Sequence, residues 1–316
     1  MENKKRVLKR QGLLLLIVPL CLLMFLPEAQ ARSYDIYVDA DNTGTEDGSS
    51  SNPYNTITEA LAVASEGDAI LVKNGTYAEH ITIPRDVEVY GEDKSDVIID
   101  GDTTGTTVKM NHKSKLKKVT IEGGNTGIKV PEKAGVKIIK VKVKKADHDG
   151  IILEGSSKTR KKDRYEREIS ECTIKDNGEK GIYIKKSQVV IEDSKIIDNG
   201  EEGIDIRKSV KATIENNSIE NNEESNIEFK IDDVDLEISD NKIKKSDCSG
   251  ISAQSYQGTK GVISIFDNSI KSNDHYGLRC SIQKHVPVGG WGNQLFLSGN
   301  TFSSNDKGNT SSLCGF

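Results

Sequence analysis

Three short segments share one design: Gly181-Ile182-Tyr183-Ile184-Lys185, Gly203-Ile204-Asp205-Ile206-Arg207 and Asn226-Ile227-Glu228-Phe229-Lys230. In each, two apolar residues bracket a polar or aromatic one, and a cation follows. Alternation with period two places the apolar pair on one face of a strand. Tyr183, Asp205 and Glu228 then share the other face with Lys185, Arg207 and Lys230. Carboxylate oxygens on adjacent strands suit a hard cation such as Ca²⁺, so Asp205 and Glu228 are the candidate metal ligands. Lys185, Arg207 and Lys230 are the candidate catalytic cations, each able to partner an anion or move a proton. The plainer alternative is cross-strand charge pairing on an exposed ladder, with no chemistry at all.

What positions these residues is a repeat. Ile169, Cys172, Ile174 and Asn177 are matched by Ile191, Ser194, Ile196 and Asn199, then by Ile214, Asn217, Ile219 and Asn222. The lead isoleucines are 22 and then 23 residues apart. The pattern continues from Ile238, from Ile265 and from Leu297. Self-similarity at such a period marks a stacked repeat. The runs are short, rich in Ile and Val, bounded by Asn, Asp, Gly and Ser, and show no helical stripe. This predicts an all-β fold, a single-stranded right-handed parallel β-helix with about 22 residues per coil. Coils stack at about 4.8 Å, so like residues form ladders. Asn177, Asn199, Asn222, Asn273 and Asn305 are expected to form one, each bonding its neighbour.

The chain before the repeats reads differently. Residues 1–31 have a basic start, an apolar run from Leu13 to Leu26 and Ala29-Gln30-Ala31, which predicts a cleaved signal peptide. The expected location is therefore secreted, periplasmic or at the cell surface, without a membrane association after cleavage. Residues 32–112 form an N-terminal cap and the first coils, and 113–316 the remaining coils. Ile57, Ala60, Leu61 and Ala64 have helical spacing, and Asn55 or Thr56 can cap the start. A short helix there would cover the open end of the first coil.

The pattern resembles the pectin-lyase-like superfamily of right-handed parallel β-helix proteins over residues 34–316. The most specific match is the entry segment, with Pro53, Thr56, Ile57, Ala60, Leu61, then Gly67, Asp68, Ile70, then Gly75, Thr76, Tyr77. The resemblance implies the fold and a set of activities that includes lyases, hydrolases and epimerases as well as non-catalytic adhesins. In lyases of this kind a Lys or Arg removes the proton beside a uronate carboxylate with help from a cation. No pectate-lyase or polygalacturonase signature motif occurs in the chain.

Coil length points to a face. The extra residues of long coils all follow a Gly-Ile-x-Ile strand, giving loops at 154–168, 253–261 and 281–294. Insertions at one corner project from one side and often carry binding. Three short coils between them leave a valley about 15 Å wide. Its walls would supply Arg164 and Tyr165 on one side, Tyr256, His285 and Trp291 on the other. Trp291, set in Gly289-Gly290-Trp291-Gly292, is expected to offer an accessible ring; otherwise it covers the end of the core. Arg forks pair carboxylates. With Tyr183 these residues form the candidate substrate-binding set.

The composition fits this reading. Forty-four basic and 49 acidic residues leave a net charge of −5, which gives no case for nucleic acid. A hydrophobic fraction of 34% suits a thin core. Of the cysteines beyond the leader, Cys172 falls on an inward ladder, and Cys280 and Cys314 lie on adjacent terminal coils where a disulfide can form. The expected function is binding of an acidic polysaccharide, with lyase-like β-elimination at the 183–230 valley and Ca²⁺ as the cofactor. The alternatives are glycoside hydrolysis, or a non-catalytic glycan-binding, adhesive or structural solenoid.

Overall fold

The structure is a computed structural model that describes residues 32–155, 166–255, 261–285, 287 and 289–316. Every strand pairing in it is parallel, and the strands fall into three sheets of 11, 10 and 10 strands. One coil contributes one strand to each sheet. Gln188–Glu192 lies in the first sheet, Lys195–Ile197 in the second and Ile204–Ile206 in the third. The next coil re-enters the first sheet at Lys211–Glu215. This is the right-handed parallel β-solenoid that the repeat predicts, with about 24 residues per coil. The excess over the short-coil spacing comes from the three long connections.

The register is carried by an inward ladder. Ile151, Ile182, Ile204, Ile227, Ile251 and Leu278 pair in succession across the third sheet, and all are fully buried. Burying each such side chain contributes about 1.5–3 kcal/mol. Corners are tight because one residue per corner adopts a left-handed conformation, such as Asp193 and Asn216 at the first and Asp198 and Asn221 at the second. Asp and Asn tolerate that region better than most residues.

Behind each corner runs an asparagine ladder. Asn177 Nδ2 donates to Asn199 Oδ1 at 2.9 Å, and Asn199 Nδ2 to Asn222 Oδ1 at 2.9 Å. Asn273 continues to Asn305 at 2.8 Å. A second ladder at the other corner joins Asn217, Asn241, Asn268 and Asn300. Each Oδ1 also accepts a backbone N–H from the preceding coil, so buried polar groups are satisfied without water.

One break in the ladder is compensated. The coil between Asn222 and Asn273 carries Ser246 instead of Asn. In the coil before it the usual Gly is replaced by Asn226, whose Oδ1 accepts from Asn222 and whose Nδ2 donates to Lys244 O at 3.0 Å. The reason is space. A Cβ at Gly203 would lie 2.7 Å from Asn222 Nδ2, so a ladder Asn forces Gly in the preceding coil. Ser246 leaves that volume to Asn226.

At the amino end the helix Ile57–Val63 covers the first coil with Ile57, Ala60 and Leu61. Thr56 caps it, its Oγ1 accepting the Glu59 N–H at 3.2 Å. The Glu79 carboxylate accepts the N–H groups of Ile57 and Thr58 at 2.9 and 2.8 Å. At the other end a Cys280–Cys314 disulfide ties the last coil to the short helix Ser312–Cys314. Among the described residues, no helix is long and apolar enough to cross a membrane.

Candidate functional site

The outward face of the third sheet gathers the candidate residues. Tyr183, Asp205, Glu228 and Ser252 are direct cross-strand neighbours. Two residues further along their strands come Lys185, Arg207, Lys230 and Gln254, with Lys185 opposite Glu154 and Lys230 opposite Gln254. Lys185, Arg207 and Lys230 thus stand on three consecutive coils, about 4.8 Å apart at the backbone.

The acidic row is not an exposed ladder, contrary to the plainer expectation. Asp205 is fully buried, and Glu228 retains 8% exposure. Arg207 is what buries them. Its Nε lies 2.6 Å from the Asp205 carboxylate, Nη1 3.1 Å from Glu228 Oε1 and Nη2 3.4 Å from Glu202 Oε1. Glu202, just before Gly203, is itself buried. Lys180 pairs with Glu201 and lies 3.7 Å from Glu202. Gln254 Nε2 donates to Glu228 at 2.5 Å.

Crowding three carboxylates away from water sets their acidity. Burial pushes the Asp205 carboxyl up to about 7, Arg207 opposing this and Glu202 and Glu228 adding to it. Glu228 is raised by burial and then by Glu202. Burial works against the Arg207 charge, yet Asp205 and Glu228 outweigh it and push its pKa up. Arg207 is placed as the internal counter-ion of the cluster, its guanidinium in contact with all three carboxylates. The Tyr183 phenol is raised by burial and then by Asp205, and so stays protonated.

The cluster also has features of a cation site. Glu202, Asp205 and Glu228 each offer a carboxylate oxygen, all within 4.8 Å of one another. Glu202 Oε2 and Asp205 Oδ1 are buried and accept no hydrogen bond. Three carboxylates at this spacing suit a hard divalent ion, which would compete with Arg207, 2.6 Å from Asp205 Oδ1, and Lys180, 3.7 Å from Glu202 Oε2, for the same oxygens. The sequence pointed to Asp205 and Glu228 and missed Glu202; its signal was an acid directly before the Gly of the repeated strand.

The described residues include part of the expected valley walls. The strands at Ile151–Glu154, Ile251–Ser255 and Tyr276–Ile282 each pass by a long connection into the first sheet. Arg164, Tyr165 and Tyr256 lie outside the described residues. Lys185 is exposed and lines a hollow of about 390 Å³ with Pro131, Glu132, Glu154 and Lys186. Trp291 is not an accessible platform: it is 5% exposed and packs into the core. Gly289 and Gly290, just before it, adopt positive φ of 75° and 83°, which glycine allows.

One buried cation escaped the sequence reading. Arg167 sits at an inward register position occupied by Val189, Ala212 and Leu236 in later coils. Its guanidinium donates to Ser187 Oγ at 2.7 Å, Pro131 O at 3.0 Å and Glu154 O at 2.9 Å. It anchors both ends of the first long connection, and the signal was an Arg in an otherwise apolar ladder.

Residues 161–312 match the family model described as "Right handed beta helix region". No curated protein matches the chain. Among solved structures, the chain is similar to the enzymatically active domain of tailspike protein 2 of bacteriophage CBA120, at 11% identity and TM-score 0.59. That match covers 86% of this chain and 43% of the tailspike domain. It is also similar to an alginate lyase from Paenibacillus sp., at 14% identity and TM-score 0.54, covering 80% of this chain and 94% of the lyase. Pectate lyase Pel9A matches at 15% identity and TM-score 0.52, over 89% of this chain and 80% of that one. At such identities the likeness shows the fold alone, a right-handed parallel β-helix, and specifies no enzyme family.

Proposed function

We propose that the chain binds an acidic polysaccharide along the outward face of the third sheet and cleaves it by β-elimination. The observation that carries this is the pair of adjacent rows, Tyr183–Asp205–Glu228 beside Lys185–Arg207–Lys230. Similarity to polysaccharide-acting β-helix structures supports a glycan partner. Lys185 and Lys230, on either side of the fixed Arg207, are the cations placed to meet uronate carboxylates. One neutralises the carboxylate of the reacting sugar. The other, in its neutral form, takes the proton from the adjoining carbon. The electron pair of that C–H bond forms the new double bond, and the glycosidic C–O bond breaks. Tyr183, which keeps its proton, donates to the departing oxygen.

Ca²⁺ would be held by Glu202, Asp205 and Glu228, and when bound it would add positive charge for the developing anion. Export fits the Cys280–Cys314 disulfide, since such bonds persist in oxidising compartments. The leader expected at 1–31 lies outside the described residues. The test is appearance of the ultraviolet absorbance of unsaturated uronates from pectate and alginate, with Ca²⁺ and with EDTA. Lys185→Ala and Lys230→Ala should abolish it without changing thermal unfolding. Absence of product with retained glycan affinity would favour a second reading, a binding module, to which the complete burial of Asp205 already lends weight.

A further inference from the structure

The second sheet carries a different arrangement of charge. Its outward ladder reads Lys142, Thr173, Lys195, Ser218, Lys242 and Ser269 in direct register. A lysine recurs at every second coil, about 9.6 Å apart, with a hydroxyl between. None of Lys142, Lys195 and Lys242 has a carboxylate at ion-pairing distance among the described residues. The neighbouring row differs. There Lys144 pairs with Glu122 at 2.6 Å, Lys175 with Asp176 at 2.7 Å and Lys244 with Glu220 at 2.8 Å. Lys144, Lys175 and Lys244 are neutralised by the protein, whereas Lys142, Lys195 and Lys242 are left for solvent or a ligand.

We propose that the Lys142–Lys195–Lys242 row is a docking track for an extended anionic polysaccharide, separate from the third-sheet valley and independent of any chemistry there. The periodicity selects this partner. A pyranose advances an extended chain by roughly one coil rise, and in a two-fold chain successive carboxylates face opposite sides. Those facing the protein then recur at every second sugar, in step with the lysines. Thr173, Ser218 and Ser269 stand opposite the intervening sugars, whose hydroxyls are hydrogen-bond partners. A depression of about 410 Å³ opens beside Lys195, lined by Lys94, Glu171, Thr173 and Asp193, and gives one ring a seat.

Other polyanions fit less well. Sequence-tolerant binding of single-stranded nucleic acid relies on aromatic platforms. The outward residues of this sheet from Thr120 to Lys271 include none. A membrane surface asks for exposed apolar side chains, and the large exposed ones are Val63, Val262, Ile282, Phe296, Leu313 and Phe316, none on this sheet.

The test uses the full chain with Lys185→Gln and Lys230→Gln in place, so that the valley does not contribute. Binding of a defined oligogalacturonate and oligomannuronate is measured by calorimetry over a range of salt. Replacing Lys142, Lys195 and Lys242 with Gln should weaken binding at least tenfold and flatten the salt dependence. The charge-matched replacement of Lys144, Lys175 and Lys244 should change it about twofold or less. In parallel, the oligomers should protect Lys195 and Lys242 of the unsubstituted chain from acetylation. Equal losses in the two triple variants, no binding, tighter binding of oligothymidylate, or unprotected Lys195 and Lys242 would each overturn the track. Absence of turnover by the unsubstituted chain, with binding at the track intact, would count against the valley alone.

Discussion

Arg207 Nε lies 2.6 Å from the carboxylate of Asp205, two residues earlier on the same outward face. Asp205 is buried although it faces away from the core, because the half-buried Arg207 guanidinium spans three carboxylates on two coils. Removing one partner of a buried cluster leaves uncompensated charge and costs about 3–5 kcal/mol. Arg207→Ala should therefore lower the unfolding midpoint strongly at neutral pH as well as any activity. Adding Asp205→Asn in the same chain should recover much of the loss, and a double variant no more stable than Arg207→Ala would refute the coupling.

The raised pKa of Asp205 makes a signed prediction. The folded state keeps this proton up to about pH 7, whereas the unfolded chain releases it near 3.8. Below pH 3.8 the group does not affect stability. Stability falls as pH rises through that window, and the penalty levels off above pH 7 at something on the order of 4 kcal/mol. Denaturant unfolding in EDTA should show this slope in the unsubstituted chain. Asp205→Asn should lack it, and parallel pH profiles would show that Asp205 ionises normally.

Asn226 and Ser246 should behave as one exchangeable unit. Ser246→Asn alone drives a side chain into the volume Asn226 fills, and Asn226→Gly alone removes the bridge to Lys244 and Asn222. Each should destabilise by about 1–3 kcal/mol, while the double change restores the ordinary Gly–Asn rung and should regain most of it. Additive losses in equilibrium unfolding would contradict the shared-volume account.

Trp291 should matter for folding and not for binding. Trp291→Ala removes a core ring and should cost about 3–5 kcal/mol. Glycan affinity measured below the lowered transition should stay within about twofold, since the ring is buried. A large affinity loss in a still-folded variant would return Trp291 to the binding set.

Ile204→Asp checks the register itself. It places an unpaired charge on the inward ladder and should destabilise by more than about 3 kcal/mol. Unchanged thermal unfolding would mean that Ile204 does not face inward.

The contrast among these residues shows where sequence reasoning reaches. Ile204 and Asn199 were legible because ladder position follows from alternation and a fixed period, both local properties. A cap at Asn55 or Thr56 was legible from residue type beside a helical pattern, and Thr56 fills it. The burial of Asp205 was not, since it depends on Arg207 and Glu228 converging from two coils with Glu202 at the strand entrance. The burial of Trp291 was not legible either, since it depends on packing against the core at the end of the stack. Arg167 was hidden by its neighbours: only the register shows that it occupies a hydrophobic rung. The coil length came out longer than the short-coil spacing because loops add residues without adding strands.

The two ends of the stack are closed by different means. A helix held by side-chain contacts lies over the first coil, and a covalent bridge joins Cys280 to Cys314 at the last. Because each coil is supported only by its neighbours, melting starts at a terminus and travels inward like a zipper. With the far end stapled, that zipper has a preferred pull: it opens from the amino side in an oxidising medium. A reductant frees the second end and lets fraying advance toward the centre from both directions.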